Sequence, residues 1–270
     1  MIFTDFELSQ RIERTEARIT AAFADARVKI SPEYGAEWIE VAGAYAIFDG
    51  IESPCTQTFG LGMFGEVTAL DLDKIEAFFK ERNSPILHEV SPLAYSSVLA
   101  LLNERGYTPI EYTNVMFQTL GDADRNLVLN PKITTRIIGE DKVLLWAETS
   151  ANGWISEMPD HVDFMKEFGR ISASCEGCYS FLAEIDEKPI ATGALFIFDG
   201  VAEAAGASTI PTGRKQGAQT ALLDARLKFA KEKGCDIVVM GASPGSQSQK
   251  NAEKNGFRIA YTRTKWELKY

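Results

Sequence analysis

The stretch that decides the fold is residues 202–234, AEAAGASTIPTGRKQGAQTALLDARLKFAKEKG. Small residues up to Pro211 have the spacing of a strand, and residues 212–217 read as a short loop. From Ala218 onward, apolar residues recur at helical spacing with charged residues on the opposite face. The run Asp236-Ile-Val-Val-Met, apolar after its first residue, predicts the next buried strand. The sequence therefore predicts a strand, a loop, a helix and a second strand in succession.

The junction between this loop and helix has the features of an anion site. The first turn of a helix carries backbone N–H groups without partners, and the helix dipole favours negative charge there. Gly217 lets the backbone approach a ligand closely, while Arg214 and Lys215 add two cations. A pyrophosphate suits such a site, although a plain glycine-containing turn with solvated basic residues has the same spacing.

Pro211, Arg214 and Gly217, together with the helix that follows them, resemble the coenzyme A loop of the GNAT superfamily of N-acetyltransferases. The family pattern is Gln/Arg-x-x-Gly-x-Gly/Ala, and Gln219 departs from it, so its side chain must point away from the phosphates. The resemblance covers roughly residues 133–270. It implies acetyl-coenzyme A as co-substrate without a metal, held by Ala207, Ser208, Thr209, Arg214, Lys215, Gln216, Gly217, Ala218, Gln219, Thr220 and Asn251.

The resemblance also implies how the acyl donor lies. In the family, the strand before the loop splays from its neighbour and the pantetheine arm lies in the gap, paired here with the main chain of residues 207–209. A backbone N–H in this segment can polarise the thioester oxygen, which gains charge as the amine attacks. The small side chains at residues 204–208 suit close approach by a ligand and equally suit tight packing of a sheet on a helix.

Glu203 is the candidate general base, because an acceptor amine is mostly protonated at neutral pH and must lose a proton to attack. It lies six residues before Thr209, where GNAT enzymes often place a glutamate, and its apolar neighbours would raise its pKa. The alternative is an exposed glutamate at the start of a strand.

The general acid for the departing thiolate is harder to assign. The family often has a tyrosine five residues before Gly-Phe in the last helix, and here that position is Asn251. Ser248 and Tyr261 are the other candidates in this region. A thiol is already a fair acid, so the missing tyrosine affects the protonation step and not the reaction class.

The acceptor pocket of this family is usually lined by the first two helices and their junction, here residues 153–161. Trp154 and Met158 are candidates for an apolar wall, and Glu157 or Asp160 for contact with a cationic group. The alternative is a loop between helices in which Trp154 fills the core.

The net charge of -10 lies entirely in the first half. Residues 1–130 hold 10 Lys and Arg against 20 Asp and Glu, whereas residues 131–270 hold 18 against 18. No basic stripe with interleaved aromatic residues is present, so we expect no nucleic acid partner. The acidic half could attract a cationic amine or could serve only solubility.

The sequence has no long apolar run and no start that resembles a signal peptide. We therefore expect a cytoplasmic protein with no membrane partner.

Four cysteines are too few and too scattered for a disulfide scaffold. Cys175 and Cys178 have a suggestive spacing, but no second pair supplies the four ligands of a structural zinc site. Two reduced thiols are the simpler interpretation, with a metal or redox pair as the alternative.

The two halves repeat each other at residue level. Residues 43–50 (GAYAIFDG) align with residues 193–200 (GALFIFDG) at an offset of 150, and four further matches follow in the same order. His88 aligns with Met240, which favours a strand role for it. The polar segment 122–131 reads as a linker.

The first half differs at the position that corresponds to the loop at residues 212–217. It has no arginine there and carries Glu66, Asp71 and Asp73 nearby, so carboxylates satisfy the helix dipole and repel a pyrophosphate.

We therefore predict an α/β protein of two tandem GNAT-type domains, each a mixed, mostly antiparallel sheet flanked by helices. Residues 1–128 form a degenerate domain and residues 132–270 the domain that binds acetyl-coenzyme A. The expected function is N-acetyl transfer to a primary amine of a small molecule by direct attack. The alternative is a non-catalytic protein that binds or senses acyl-coenzyme A. A homodimer is an open alternative to a monomer.

Overall fold

A computed structural model describes residues 3–121 and 129–270 of the 270-residue chain. Most of the predicted linker, residues 122–128, lies outside the described residues. The chain divides into two compact units. The first unit comprises Met1–Gln118 together with Val239–Tyr270, and the second comprises Thr119–Val238.

The described residues form helices and strands, among which β9, α6 and β10 confirm the strand, helix and strand predicted over residues 202–240. Their bounds are α1 (Phe6–Ile30), β1 (Glu37–Val41), β2 (Ala44–Phe48), β3 (Gln57–Phe59), α2 (Ala69–Lys80), β4 (Ile86–Val90), α3 (Ser96–Glu104), β5 (Thr108–Thr119), β6 (Thr134–Ile137), α4 (Val143–Trp154), α5 (Val162–Ala173), β7 (Cys178–Ile185), β8 (Lys188–Phe198), β9 (Val201–Thr209), α6 (Ala218–Glu232), β10 (Ile237–Ala242), α7 (Gln247–Lys254) and β11 (Arg258–Leu268).

The predicted repeat is visible in this order. In the first half, β3 is followed by α2, β4, α3 and β5, and in the second half β9 is followed by α6, β10, α7 and β11. His88 lies in the interior of β4 and is buried, as its alignment with a strand residue predicts.

The sheet of the first unit has the strand order β1-β2-β3-β4-β11-β5. Only β3 and β4 run parallel among these neighbours, so the sheet is mixed and mostly antiparallel, as predicted. The last strand of the chain, β11, lies between β4 and β5, with Thr264 opposite Val90 on one side and Tyr112 on the other. A strand of the second repeat therefore completes the sheet of the first unit.

This pairing explains why the compact units do not follow the division made from the sequence. The sequence places residues 239–270 in the second domain, whereas the structure places them in the first unit because β11 is hydrogen-bonded there. The division at residues 128 and 132, which concerns the two repeats, stays a prediction.

One apolar core of the first unit is formed by α2, α3 and the sheet, and a second lies between α1 and the sheet. Leu72, Ile75 and Phe79 of α2 pack with Ile86 and Val98 in one buried apolar cluster. Such burial is the main favourable contribution to folding. Among the described residues, no helix is both long enough and apolar enough to span a bilayer.

The second unit contains the antiparallel strands β6, β7, β8 and β9 in that order. Helix α4 packs on β8 and β9, and its Trp146 is fully buried with Nε1 donating to the Phe181 carbonyl oxygen. Helix α6 packs on β7 and β8, where Phe229 contacts the rings of Tyr179 and Phe181. These helices position the segment that the sequence analysis singled out.

Candidate active site

The strand that leads into the predicted coenzyme loop contains a β-bulge. Thr192 on β8 lies opposite Ser208, and Ala194 lies opposite Ala205, so two residues of β9, Gly206 and Ala207, face one residue of β8. Gly206 has a φ of 58°, a conformation that glycine adopts without strain. Both bulged residues are exposed although they lie within a strand. Bulges of this kind turn backbone groups out of the regular ladder and are frequent beside active sites.

The loop after β9 leaves the start of α6 open. Lys215 has a φ of 63°, unusual for a residue with a side chain, and Gly217 has a φ of 90°. Gly217 is the N-cap of α6 and no side chain caps this helix. The N–H groups of the first turn therefore remain available to an anion.

A pocket of about 160 Å³ lies at this helix start. Pockets that hold whole drug-sized ligands have volumes of about 300–1,000 Å³. This pocket is therefore of a size for one part of a ligand, such as a diphosphate. It is lined by Thr209, Gly213, Arg214, Lys215, Gly217, Ala218, Gln219 and Thr220.

Helix α2 of the first unit, which corresponds to α6 in the repeat, has its first turn capped by side chains. Thr68 caps α2 by accepting a bond from the Asp71 N–H at 3.3 Å, and Asp71 accepts from the Thr68 N–H at 3.1 Å. The hydrogen bonds from Thr68 hold the pKa of Asp71 below its ordinary value. This reciprocal cap satisfies the groups that α6 leaves open, which supports the sequence argument that carboxylates occupy the first-half position.

Gln219, which departs from the family pattern, points back at the sheet. Its Nε2 donates to the Ser208 carbonyl oxygen at 2.7 Å, to the Thr209 hydroxyl at 3.0 Å and to the Thr192 carbonyl oxygen at 3.3 Å. These bonds direct the Gln219 amide towards β8 and β9, and its orientation relative to bound phosphates stays a prediction. Gln216 stays exposed on the loop, and its Nε2 donates to the Thr212 carbonyl oxygen.

Arg214 connects the loop to the segment that follows α4. Its Nη2 lies 3.0 Å from a carboxylate oxygen of Glu157 and donates to the Gly153 carbonyl oxygen at 3.0 Å. Its Nε donates to the Thr209 carbonyl oxygen at 3.3 Å. The residue expected to bind coenzyme thus contacts the carboxylate expected to bind the acceptor.

The apolar residues of the predicted acceptor segment are exposed. Trp154 is 37% exposed, Ile155 42% and Met158 38%. The alternative in which Trp154 fills the core is therefore wrong, and Trp146 of α4 has that role. A solvent-facing group of aromatic and aliphatic side chains beside a carboxylate has the composition of a binding surface for an organic cation.

Glu203 lies on β9, half-buried, opposite Phe196 of β8. It lies four positions before Ala207 in the sequence, and the first bulged residue, Gly206, lies between them. Ser208 is buried, and its hydroxyl donates to the Ser150 carbonyl oxygen of α4 at 3.0 Å. The strand around the bulge is therefore anchored to α4.

The three candidates for the general acid lie in the first unit. Ser248 and Asn251 are exposed on α7, and the Asn251 side-chain oxygen accepts a bond from Gln247 at 2.7 Å. Tyr261 on β11 is only 6% exposed, and its hydroxyl donates to Glu13 at 2.7 Å. Burial and the nearby Glu13 carboxylate raise the pKa of Tyr261 far above its ordinary value. The hypothesis that Tyr261 protonates a leaving thiolate is contradicted by this placement.

One buried residue near the bulge was not identified from the sequence. Arg226 on α6 is 4% exposed, and its Nη1 donates to the carbonyl oxygens of Ala194 at 3.1 Å and Ala205 at 3.2 Å. A signal was present, because Arg226 follows Leu222 by four residues and precedes Ala230 by four, on the apolar face of the helix.

The cysteine pair of the second unit contains two free thiols. The Cys175 thiol donates to the Ile171 carbonyl oxygen, and the Cys178 sulfur lies 3.6 Å from the Ser180 hydroxyl. Within the described ranges, no group of three or more His, Cys, Asp or Glu side chains is arranged to hold a metal ion.

Comparisons with known proteins agree with this geometry. Residues 144–257 match the model of the acetyltransferase (GNAT) family. No significantly similar sequence was found among proteins of curated function. Among solved structures, a GCN5-related N-acetyltransferase from Kribbella flavida is similar with a TM-score of 0.64 and 17% identity, over 92% of this chain and 95% of that chain.

Two further solved structures have the same fold. A GCN5-related N-acetyltransferase from Sphaerobacter thermophilus is similar with a TM-score of 0.55 and 15% identity, over 94% of this chain and 91% of that one. A tandem GNAT protein from the clavulanic acid biosynthesis pathway is similar with a TM-score of 0.59 and 11% identity, over 83% and 78% of the two chains.

These matches confirm the fold expected from the resemblance, two tandem GNAT-type domains, and the family model covers one of them. The family consists of acetyltransferases that use acetyl-coenzyme A, which confirms the expected enzyme class. Residues 144–257 therefore form a domain of the acetyltransferase (GNAT) family.

Proposed function

We propose that this protein transfers an acetyl group from acetyl-coenzyme A to a primary amine of a small molecule by direct attack on the thioester. The observation that supports it most is the uncapped start of α6 beside Arg214 and Lys215. This arrangement fits a diphosphate, because main-chain N–H groups and two cations converge on one small pocket. In the first unit, the reciprocal cap of Thr68 and Asp71 occupies the same position, so we propose one coenzyme site per chain.

The residues that would hold the pantetheine arm and the acetyl group are those of the bulge. Gly206 and Ala207 are exposed within β9, so a ligand can pair with the main chain there. A backbone N–H of this segment would stabilise the negative charge that the thioester oxygen gains during attack.

Glu203 is the proposed general base. It lies four positions before Ala207 on the same strand, and it would act on the amine through water and not by direct contact. The departing thiolate needs little help from a general acid, because a thiol is already a fair acid. The burial of Tyr261 removes it as a candidate, so the general acid is unassigned. Ser248 and Asn251 remain candidates for this role.

The proposed acceptor surface is formed by Trp154, Glu157 and Met158. Their exposure supports it, because an ammonium group with an apolar body would contact both the carboxylate and the apolar side chains. The free thiols agree with a cytoplasmic location, which we keep as part of the proposal.

The proposal is tested by incubating the full chain with acetyl-coenzyme A and a panel of small primary amines while following release of free thiol. An enzyme releases thiol only with certain amines, and Glu203→Gln loses this activity while still binding acetyl-coenzyme A. If no amine gives turnover although acetyl-coenzyme A binds, the protein is a sensor and the catalytic proposal fails.

A further inference from the structure

The buried guanidinium of Arg226 lies at the base of the β9 bulge. Its Nη1 bridges two strands by donating to the Ala194 carbonyl oxygen of β8 and the Ala205 carbonyl oxygen of β9. Its Nε donates to the Leu222 carbonyl oxygen within α6 at 3.3 Å. In the part of the chain that the structure describes, its partners are main-chain carbonyls, and no carboxylate forms an ion pair with it.

A buried cation without a counter-ion is costly to keep. Removing a charge from water is offset only when the charge is well paired, and apolar residues at such positions are often as stable or more stable. Burial lowers the pKa of Arg226 to about 10, so it is still a cation at neutral pH. Packing alone would be served by an uncharged side chain, so the positive charge needs another explanation.

The neighbouring strand leaves room for this guanidinium. A Cβ atom on Gly193 of β8 would lie 2.9 Å from the Arg226 Cζ, closer than real side chains approach. Gly193 is also the residue that faces the two bulged residues of β9. The bulge and the space for the guanidinium therefore occur at one point of the sheet.

The Ala205 carbonyl belongs to the peptide group that also carries the Gly206 N–H. A cation bonded to this carbonyl polarises the peptide group and strengthens its N–H as a donor. Ala205 is also the last paired residue before the bulge, so the bond from Arg226 fixes the direction in which the bulged residues leave the ladder.

We propose that Arg226 is a positioning residue for the acetyl donor, which holds the β9 bulge in shape and supplies positive charge behind the backbone N–H groups that bind the thioester oxygen. This inference rests on the proposed function. The charge acts more strongly on the transition state than on the bound donor, because the oxygen becomes negative only during attack. Arg226 should therefore affect kcat more than the affinity for acetyl-coenzyme A.

The experiment uses acetyl-coenzyme A labelled with ¹³C at the thioester carbonyl, whose infrared stretching frequency falls when the oxygen is polarised. The wild-type complex is compared with Arg226→Gln and with Lys228→Gln, which removes a cation from the exposed side of the same helix. Thermal unfolding and calorimetry establish that each variant folds and binds. Should Arg226→Gln fail to fold, Gly193→Ala replaces it, because the added methyl group displaces the guanidinium.

We expect Arg226→Gln to bind acetyl-coenzyme A within a few-fold of wild type, with a higher carbonyl frequency and a kcat lowered about 10- to 100-fold. This loss is smaller than the ~10²–10³-fold effect of removing an oxyanion donor itself. Lys228→Gln should change neither quantity. A wild-type frequency and kcat in Arg226→Gln or Gly193→Ala would overturn the inference while leaving the proposed function intact. Absence of binding by the wild-type protein would instead overturn the proposed function, and the inference with it.

Discussion

The guanidinium of Arg214 lies 3.0 Å from the carboxylate of Glu157, so the predicted coenzyme loop and the predicted acceptor segment share an ion pair. Both side chains are more than one third exposed, and such pairs contribute roughly 0.2–1 kcal/mol. A diphosphate carries more negative charge than one carboxylate and can replace Glu157 as the partner of Arg214. Glu157 would then become available to the ammonium group of an acceptor.

Glu157→Gln should therefore bind acetyl-coenzyme A more tightly than wild type, by a factor of up to about five, because Arg214 loses a competing partner. Calorimetry measures the affinity directly. Asp160→Asn is the matched control, since it removes a neighbouring carboxylate from the same segment and should leave the affinity unchanged. Weaker binding by Glu157→Gln would show that Glu157 holds Arg214 in the position that coenzyme needs.

The stoichiometry of coenzyme binding should be one per chain. The start of α2 is closed by Thr68 and Asp71, whereas the start of α6 has no side-chain cap. A titration with acetyl-coenzyme A measured by calorimetry gives this number. Two equivalents per chain would contradict the interpretation of the first unit as degenerate.

Arg263→Met should lower the free energy of unfolding by about 3–5 kcal/mol, because it leaves the buried carboxylate of Glu13 without its cationic partner. Arg263 lies 3.1 Å from Glu13 and 2.8 Å from Glu16, and it holds β11 against α1. Urea unfolding measures the change. The exposed pair of Lys269 and Glu267 supplies the control, since Lys269→Gln should cost less than about 1 kcal/mol. Equal small effects would mean that β11 is held by its backbone pairing alone.

The stability of the protein should fall on acidification in part because of His88. Burial lowers the pKa of His88 from 6.5 to about 4. Between those pH values the unfolded chain binds a proton that the folded chain does not, so the free energy of unfolding decreases as the pH falls from 6.5 towards 4. The effect of this one group amounts to roughly 3 kcal/mol.

His88→Gln isolates this contribution, because glutamine does not titrate and can still bond the Tyr107 hydroxyl, which lies 3.0 Å from the His88 Nε2. Urea unfolding of both proteins between pH 7 and pH 4 should show a smaller decrease for the variant. Parallel pH profiles would mean that His88 is protonated within the folded protein.

Local pattern was enough to predict the strand, loop and helix of residues 202–234. Helical spacing, glycine positions and the internal repeat are properties of neighbouring residues, and they placed α6 and the bulged strand correctly. The position of β11 could not be predicted in this way. Its pairing with β4 and β5 joins distant segments of the chain, and such pairing depends on which strand edges of the folded sheet lack a partner. For the same reason the role of Tyr261 was wrong, since its partner Glu13 is 248 residues away.

The partners of the buried charges also lay beyond sequence reasoning. The spacing places Arg226 on the apolar face of its helix, but its backbone carbonyl partners lie on two strands, and Arg27 pairs with the buried Asp49. Asp49 reads as a turn residue beside Gly50. Whether such a residue is solvated or buried depends on the packing of elements that are far apart in the chain.

Calorimetry of the wild-type chain with acetyl-coenzyme A and with acetyl-pantetheine, which lacks the diphosphate, tests the central claim most directly. The account predicts one site for acetyl-coenzyme A, far weaker binding of acetyl-pantetheine, and a marked loss of affinity for acetyl-coenzyme A in Arg214→Glu. Equal affinities for the two ligands, or no binding of acetyl-coenzyme A, would contradict a diphosphate site at the start of α6.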